Sequence, residues 1–176
     1  MNPTTSREVE GSRVRFPEVA GRTLLGVGVR LPSGFPADRT LVIVAFQRWQ
    51  QNRVDLWIER AIAAGVPATS RGQEHPIPVG VVEVPALSTQ WRPVRRFIDG
   101  GMTASIVEPD VLARTITVYT DVSAFQRSLA IPSSEDVWAF VVTQDGSVLA
   151  RGHGAPDDTA WEPVATALLC EGPTDE

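Results

Sequence analysis

The sequence contains no lysine and only one cysteine, Cys170, among its 176 residues. A single cysteine forms no internal disulfide bond and supplies too few ligands for a zinc site, so neither feature is expected. All 16 basic residues are therefore arginine. Codon bias in a GC-rich genome is the simple explanation, and a need for planar guanidinium contacts at several sites is the alternative.

Long apolar stretches are also missing. No run approaches the roughly 18 apolar residues of a membrane-spanning helix, and the polar residues 1–11 lack the apolar centre of a secretory signal. The net charge is -5, whereas nucleic-acid binding needs a concentrated basic surface. We therefore expect a cytoplasmic protein with no direct membrane insertion and no nucleic-acid partner.

The remaining composition favours one globular domain. The chain is 43% hydrophobic and 21% charged, and no linker or internal repeat divides it. The polar ends, residues 1–12 and 171–176, are expected to be disordered tails. The domain itself is predicted to span residues 13–170.

Continuous apolar, β-branched runs predict strands that are buried on both faces. These four runs are residues 40–46, 79–84, 115–119 and 137–143. Short strands are predicted at residues 23–25 and 28–31, before the first of these runs. The turn-forming residues 144–147 predict an antiparallel hairpin between the last run and residues 147–152.

Helical periodicity lies between these strands. Apolar residues at helical spacing predict a helix over residues 54–62, with Asn52 as its N-cap and Gly65 as its end. Further helices are predicted from Ser88 or Thr89 to residue 98, over 109–114, from Asp121 or Ser123 to 129, and over 159–169. This alternation predicts an α/β fold with a mixed sheet, helices on both faces, and a C-terminal antiparallel hairpin followed by a helix.

Residues 46–53, with the sequence FQRWQQNR, directly follow the strand at 40–46. This arrangement resembles the thioredoxin superfamily, particularly its peroxiredoxin and thiol-reductase branches. In those proteins an aromatic residue ends the strand, and a tryptophan and a Cys-x-x-Cys motif follow at the start of the next helix. Trp49 stands at the position of that tryptophan, and Gln50 and Arg53 stand at the two cysteine positions. The resemblance implies a thioredoxin-like fold without thiol chemistry.

A second departure from the superfamily lies before the hairpin. Thioredoxins place a cis-proline there, facing the active site, and the nearest proline in this chain is Pro132. It lies too early for that spacing. This puts the peptide-docking edge of the superfamily in question for this chain.

The chain is also similar to the ATP10-like branch of thioredoxin-fold proteins, which is associated with assembly of the membrane sector of ATP synthase. The matching residues include Phe16-Pro17, the run 40–46, the FIDGGM segment at 97–102, Tyr119-Thr120-Asp121 and Asp145-Gly146. The resemblance implies an assembly factor that binds another protein.

The candidate binding site is the start of the helix after the strand at 40–46. Helix N-termini present free N–H groups and a positive dipole end, and Arg48 and Arg53 lie close by. This surface is a candidate for binding a carboxylate of a partner protein or a small anion. The alternative is that both arginines are solvated and paired with Asp55 or Glu59. The predicted site residues are Trp49, Gln50, Gln51, Asn52 and Arg53.

Trp49 has two interpretations. It either packs against the core or lies exposed as an interface anchor. A secondary candidate patch comprises Arg92, Arg95, Arg96 and His153. The alternative for that patch is a solvated helix face.

Two further hypotheses assign a chemical activity to the protein. The first is an enzyme that uses Arg53 and His153 for non-thiol chemistry, and the second is a redox partner that acts through Cys170. Neither yields a recognisable set of catalytic residues, and His75 and His153 do not form a metal-binding pattern. We therefore predict no catalytic residue, no metal and no cofactor.

Overall fold

The computed structural model describes residues 13–90 and 108–170, which form one mixed sheet with helices packed on both of its faces. Within the described residues the sheet has seven strands, in the order β2-β1-β5-β4-β3-β6-β7. The strands are β1 (Val19–Thr23), β2 (Gly28–Leu31), β3 (Arg39–Ala45), β4 (Val79–Ser88), β5 (Ile116–Thr120), β6 (Trp138–Thr143) and β7 (Val148–His153).

The sheet is parallel at its centre and antiparallel at its sides. β4 lies parallel to both β3 and β5, whereas β6 and β7 form an antiparallel hairpin beside β3. Because β3 has a strand on each side and a packed layer on each face, its residues 40–45 are all buried. This position explains the uninterrupted apolar run in the sequence.

The helices are α1 (Gln51–Ala63), α2 (Pro109–Arg114), α3 (Val122–Ser128) and α4 (Asp158–Leu169). On one face, α1 and α4 cover a core that includes Leu41, Ile43, Trp57 and Leu168. The core on the other face is closed by α3 and the chain before β1.

Aromatic rings fill that second core. Phe16 makes edge-to-face contacts with Phe35 at 5.2 Å and with Phe125 of α3 at 5.7 Å. Among the described residues, no helix has the length and apolar character needed to cross a bilayer.

The predicted mixed sheet, the helices on both faces and the C-terminal hairpin are therefore confirmed. Two local predictions are wrong. The first strand lies at Val19–Thr23 rather than at 23–25, because residues 24–27 form the turn into β2 and Gly26 there has φ of 87°. Gln50, not Asn52, is the N-cap of α1. Ser88 ends β4, and the helix predicted from Ser88 or Thr89 to residue 98 lies mostly outside the described residues.

Glu83 is a buried carboxyl group in the middle of β4, with 4% of its surface exposed. Its neighbours Val82 and Val84 point into the core closed by α3, so Glu83 points to the opposite face, towards α1. Burial raises the pKa of Glu83 from 4.5 to about 7, and the negative charge of Asp55 acts in the same direction. The hydrogen bond from Gln51, the charge of Arg114 and the hydrogen bond from Thr115 oppose this rise in the pKa and do not cancel it.

The stability of the protein is predicted to fall as the pH rises through the range in which Glu83 ionises. The folded state holds the Glu83 proton up to a pH of about 7, whereas the unfolded chain loses it near 4.5. The stabilisation is complete below the unfolded-state pKa and is lost as the pH rises through the folded-state pKa. The difference corresponds to about 3 kcal/mol of unfolding free energy.

Urea unfolding between pH 5 and pH 8 measures this effect. In the Glu83→Gln variant the side chain stays neutral, so this part of the pH dependence should disappear and the variant should be the more stable protein at pH 8. Glu59→Gln, an exposed position on α1, is the matched control and should keep the slope of the unaltered protein. If the unfolding free energy changed with pH in the same way in all three proteins, the assignment of this effect to Glu83 would be contradicted.

Candidate functional site

The candidate site is built at the carboxyl end of β3, where the chain turns into α1. A 3-10 turn, Arg48–Gln50, joins the strand to the helix. Gln50 is the N-cap of α1 and is fully buried, with 0% of its surface exposed. It stands at the first of the two cysteine positions implied by the thioredoxin resemblance.

The Gln50 side-chain amide forms three hydrogen bonds at this junction. Its Oε1 accepts from the backbone N–H groups of Phe46 at 2.8 Å and Gln47 at 3.1 Å. Its Nε2 donates to the backbone carbonyl of Ser134 at 2.8 Å. The amide therefore ties the end of β3 and the start of α1 to the loop that precedes β6, and these bonds leave it facing inwards.

This geometry defines what Gln50 contributes to the site. A carboxamide is not a nucleophile, and nucleophilic thiol chemistry requires a thiolate. The buried, hydrogen-bonded amide stabilises the backbone instead of facing a ligand. Of the five predicted site residues, it is the one that the structure places inside the protein.

Trp49 is exposed at the mouth of this junction, with 63% of its surface accessible. Arg48, Gln51 and Asn52 are also exposed around it. The interpretation of Trp49 as an exposed residue therefore agrees with the structure, and the alternative of core packing does not. The sequence could not decide between them, because an aromatic residue after a buried strand suits either position.

Arg53 forms an ion pair with Asp136 of the loop before β6, with 3.5 Å between Nη1 and Oδ2. The alternative in which Arg53 pairs with Asp55 or Glu59 does not agree with the structure, and the Asp55 carboxylate accepts from Gln51 Nε2 at 3.0 Å. Both members of the ion pair are about 40% exposed, so their attraction is screened by water and contributes less than about 1 kcal/mol. Arg53 is therefore only loosely held.

Arg53 and His153 do not converge on one site. Arg53 belongs to α1 and approaches the backbone at Gly154. The His153 ring instead contacts Trp138 edge-on at 4.9 Å, and Trp138 belongs to the core on the opposite face of the sheet from α1. The geometry gives no support to an enzyme site built from these two residues.

The remaining predicted residues lie elsewhere. Arg92, Arg95 and Arg96 fall outside the described residues. Cys170 is exposed after α4, and its carbonyl accepts from the Arg39 guanidinium at the start of β3. Because Gln50 follows the other end of β3, about 20 Å of strand separates the two regions. Cys170 is therefore not part of the Gln50 junction.

The loop before β6 contains the partners that sequence reasoning missed. Ser134 and Asp136 lie more than 80 positions along the chain from Gln50 and Arg53, and no local pattern marks them. The described cis peptide bonds precede Pro32 and Pro76, so the Pro132 bond is not among them. The loop still reaches the start of α1, through the Ser134 carbonyl.

A cleft of about 280 Å³ lies beside the β6–β7 turn, which adjoins the start of β3 and not the end that leads to Gln50. It is lined by residues of the chain before β1, the turn after β2 and the β6–β7 turn. The lining residues include one from each segment, namely Phe16, Pro32 and Asp145. None of the predicted site residues lines it.

Comparison with known proteins extends these observations. No protein-family model and no curated protein matches the sequence. Solved structures do match: a thiol:disulfide interchange protein from Bacteroides sp. has a TM-score of 0.55 at 15% identity, covering 92% of this chain and 92% of that chain. BsSco, a member of the Sco family of cytochrome c oxidase assembly proteins, has a TM-score of 0.53 at 11% identity, covering 90% of this chain and 96% of its own.

An exposed lipoprotein thioredoxin from Streptococcus pneumoniae is similar to the same degree, with a TM-score of 0.52 at 11% identity over 86% of this chain and 100% of that chain. Identities this low establish a shared fold and nothing about activity. The strand order, the helix that follows Gln50 and these structural similarities agree with one another. The chain has a thioredoxin-like fold whose sequence contains one cysteine, Cys170, and therefore no redox pair.

Proposed function

We propose that this chain is a redox-inactive, thioredoxin-like module that binds another protein through the surface around Trp49. The observation that carries the proposal is the exposed indole of Trp49, which is 63% accessible and directly precedes the immobilised Gln50. Tryptophan is enriched among the residues that dominate protein interfaces, because it buries a large area and loses little side-chain entropy. An indole that is exposed on a hydrogen-bonded turn is well placed to anchor a protein interface.

The charged side chains around Trp49 indicate the kind of partner. Arg48 lies next to Trp49 and is exposed, and Arg53 is held only by its solvent-accessible contact with Asp136. Guanidinium groups bind carboxylates with two parallel hydrogen bonds. The partner surface therefore carries an apolar side chain for Trp49 beside a carboxylate for Arg48 or Arg53.

The assembly-factor role is the finer part of the proposal. It derives from the ATP10-like resemblance expected from the sequence motifs, which no matching family model supports, and we take the partner to be a membrane-sector subunit of ATP synthase that is met from the cytoplasm. BsSco, which shares the fold, is itself described as an assembly protein for a different complex. Co-purification of tagged full-length chain from its own cells, followed by identification of the bound proteins, tests this assignment.

Removal of the Trp49 indole is predicted to abolish partner capture without unfolding the domain. Trp49→Ala should weaken binding by about thirtyfold or more, which is the usual effect of truncating a central interface tryptophan. Its unfolding free energy should change by no more than about 0.5 kcal/mol, because the side chain is mostly in water. Titration calorimetry with the captured partner measures the first quantity, and urea unfolding measures the second.

Leu149→Ala is the matched control, because Leu149 is an exposed apolar residue on β7. It should bind the partner normally. Arg53→Glu should weaken binding, since it places a negative charge against the expected carboxylate. Equal binding by the unaltered protein and Trp49→Ala would remove the proposal.

For Gln50→Ala we predict the opposite result, a loss of stability with little change in partner binding. Gln50→Ala leaves two backbone N–H groups and the Ser134 carbonyl without their partner, which costs about 3 kcal/mol of unfolding free energy. At a temperature where this variant is still folded, it should bind the partner within about threefold of the unaltered protein. Loss of binding with unchanged stability would show that Gln50 contacts the partner directly.

A further inference from the structure

The cleft beside the β6–β7 turn combines a buried apolar floor with an exposed polar rim. Phe16, Leu31 and Pro32 are the buried residues of its lining. The exposed residues of its lining are Arg15, Glu18, Arg30, Ser33, Gln144 and Asp145. Sites for small molecules typically pair apolar walls with a few polar groups that fix the orientation of the ligand. A volume of about 280 Å³ suits a small ligand.

Close contacts join the three segments that form the walls of the cleft. The Phe16 N–H donates to the Gly146 carbonyl at 2.8 Å, which connects the chain before β1 to the β6–β7 turn. A Cβ atom on Gly146 would lie 3.1 Å from Cγ of Pro32, so the turn also packs closely against the segment after β2. Gln144 Nε2 donates to the Phe35 carbonyl in that same segment at 2.8 Å. The cleft is therefore formed by parts of the fold that hold one another in place.

Two of the four charged residues that line the cleft are engaged within the β6–β7 turn. The Asp145 carboxylate accepts from the Thr143 hydroxyl. It also accepts from the Ser147 N–H at 3.2 Å and from the Ser147 hydroxyl at 3.0 Å. Arg15 donates to the Asp145 carbonyl, and its Nη2 lies 3.5 Å from the carboxylate. Asp145 therefore stabilises the turn and balances the charge of Arg15.

The other two charged residues, Glu18 and Arg30, have no such partners. Within the described part of the chain, neither forms a salt bridge. They are close in space across the β1–β2 hairpin, because Val19 is paired with Leu31 and each charged residue directly precedes one member of that pair. The cleft therefore presents one negative and one positive group that a single small ligand can contact together.

We propose that this cleft binds a small dipolar molecule in which a carboxylate and an ammonium group adjoin an apolar side chain, the chemistry of a free amino acid. Arg30 binds the carboxylate, Glu18 binds the ammonium group, and the buried apolar residues contact the side chain. A simple anion such as phosphate suits the cleft less well, because two arginines and two carboxylates line it and their charges cancel. The site does not include Trp49 and does not depend on the proposed function.

The first test is an NMR titration of the full chain with L-leucine, followed through the backbone amide signals of Ser33 and Gln144. These signals should shift with a dissociation constant in the millimolar range, because the charged groups are exposed. 4-Methylpentanoate lacks the ammonium group and 3-methylbutylamine lacks the carboxylate, so each should bind roughly fivefold more weakly than leucine. Glycine lacks the apolar side chain and should bind about tenfold more weakly or worse.

Three results of this titration would overturn the proposal. The first is the absence of any shift of the cleft signals with leucine. The second is equal binding of leucine and 4-methylpentanoate, which would show that the ammonium group is not recognised. The third is tighter binding of inorganic phosphate than of leucine, which would make the cleft a site for simple anions.

The second test removes the two charges one at a time. Arg30→Gln and Glu18→Gln should each weaken leucine binding roughly fivefold, and Glu18→Gln should leave the binding of 4-methylpentanoate unchanged. Arg127→Gln and Glu162→Gln are the matched controls, since both residues are exposed on helices away from the cleft, and they should bind leucine normally. All four variants should keep the urea midpoint of the unaltered protein, and equal leucine binding by all of them would overturn the assignment.

Discussion

Three hydrogen bonds from one buried amide hold the candidate site together. The Gln50 side chain joins the end of the central strand β3, the start of α1 and the loop before β6. Without it, the N–H groups of Phe46 and Gln47 and the carbonyl of Ser134 would lose this partner, and an unsatisfied buried group costs about 1–3 kcal/mol. Trp49 belongs to the same turn, and 63% of its surface is accessible there.

The position of Gln50 shows what a side chain without a thiol group contributes at the start of this helix. A residue at the start of this helix must complete the local hydrogen bonding or leave backbone groups unsatisfied. The glutamine amide supplies both an acceptor and a donor in one side chain. It provides no nucleophile, but its hydrogen bonds fix the turn between β3 and α1 to the rest of the scaffold.

Most of the fold was predictable from the sequence, because strong local patterns specify it. The buried run at residues 40–46 and the periodic apolar residues of α1 predicted the central strand and its helix, and the turn at 144–147 predicted the β6–β7 hairpin. The first strand was misplaced because β1 alternates between half-buried and exposed residues and contains Gly21. A strand this short, with no fully buried residue, shows no clear hydrophobic periodicity in the sequence.

The interior of the site was not predictable in this way. The contacts of Gln50 with Ser134 and of Arg53 with Asp136 join residues more than 80 positions apart. Glu83 likewise occupies an otherwise apolar strand, and only the folded sheet shows that it faces Thr115 and α1. These pairings depend on how β4, β5 and β6 assemble around β3, which no single segment encodes.

The central claim is that the Gln50 amide is buried and hydrogen-bonded as part of the scaffold. Hydrogen exchange of side-chain amide groups, observed by NMR, measures this directly, with the exposed Asn52 amide as an internal reference. The account predicts that the Gln50 Nε2 protons exchange at least about a hundredfold more slowly than those of Asn52. Equal exchange rates for the two side chains would contradict it.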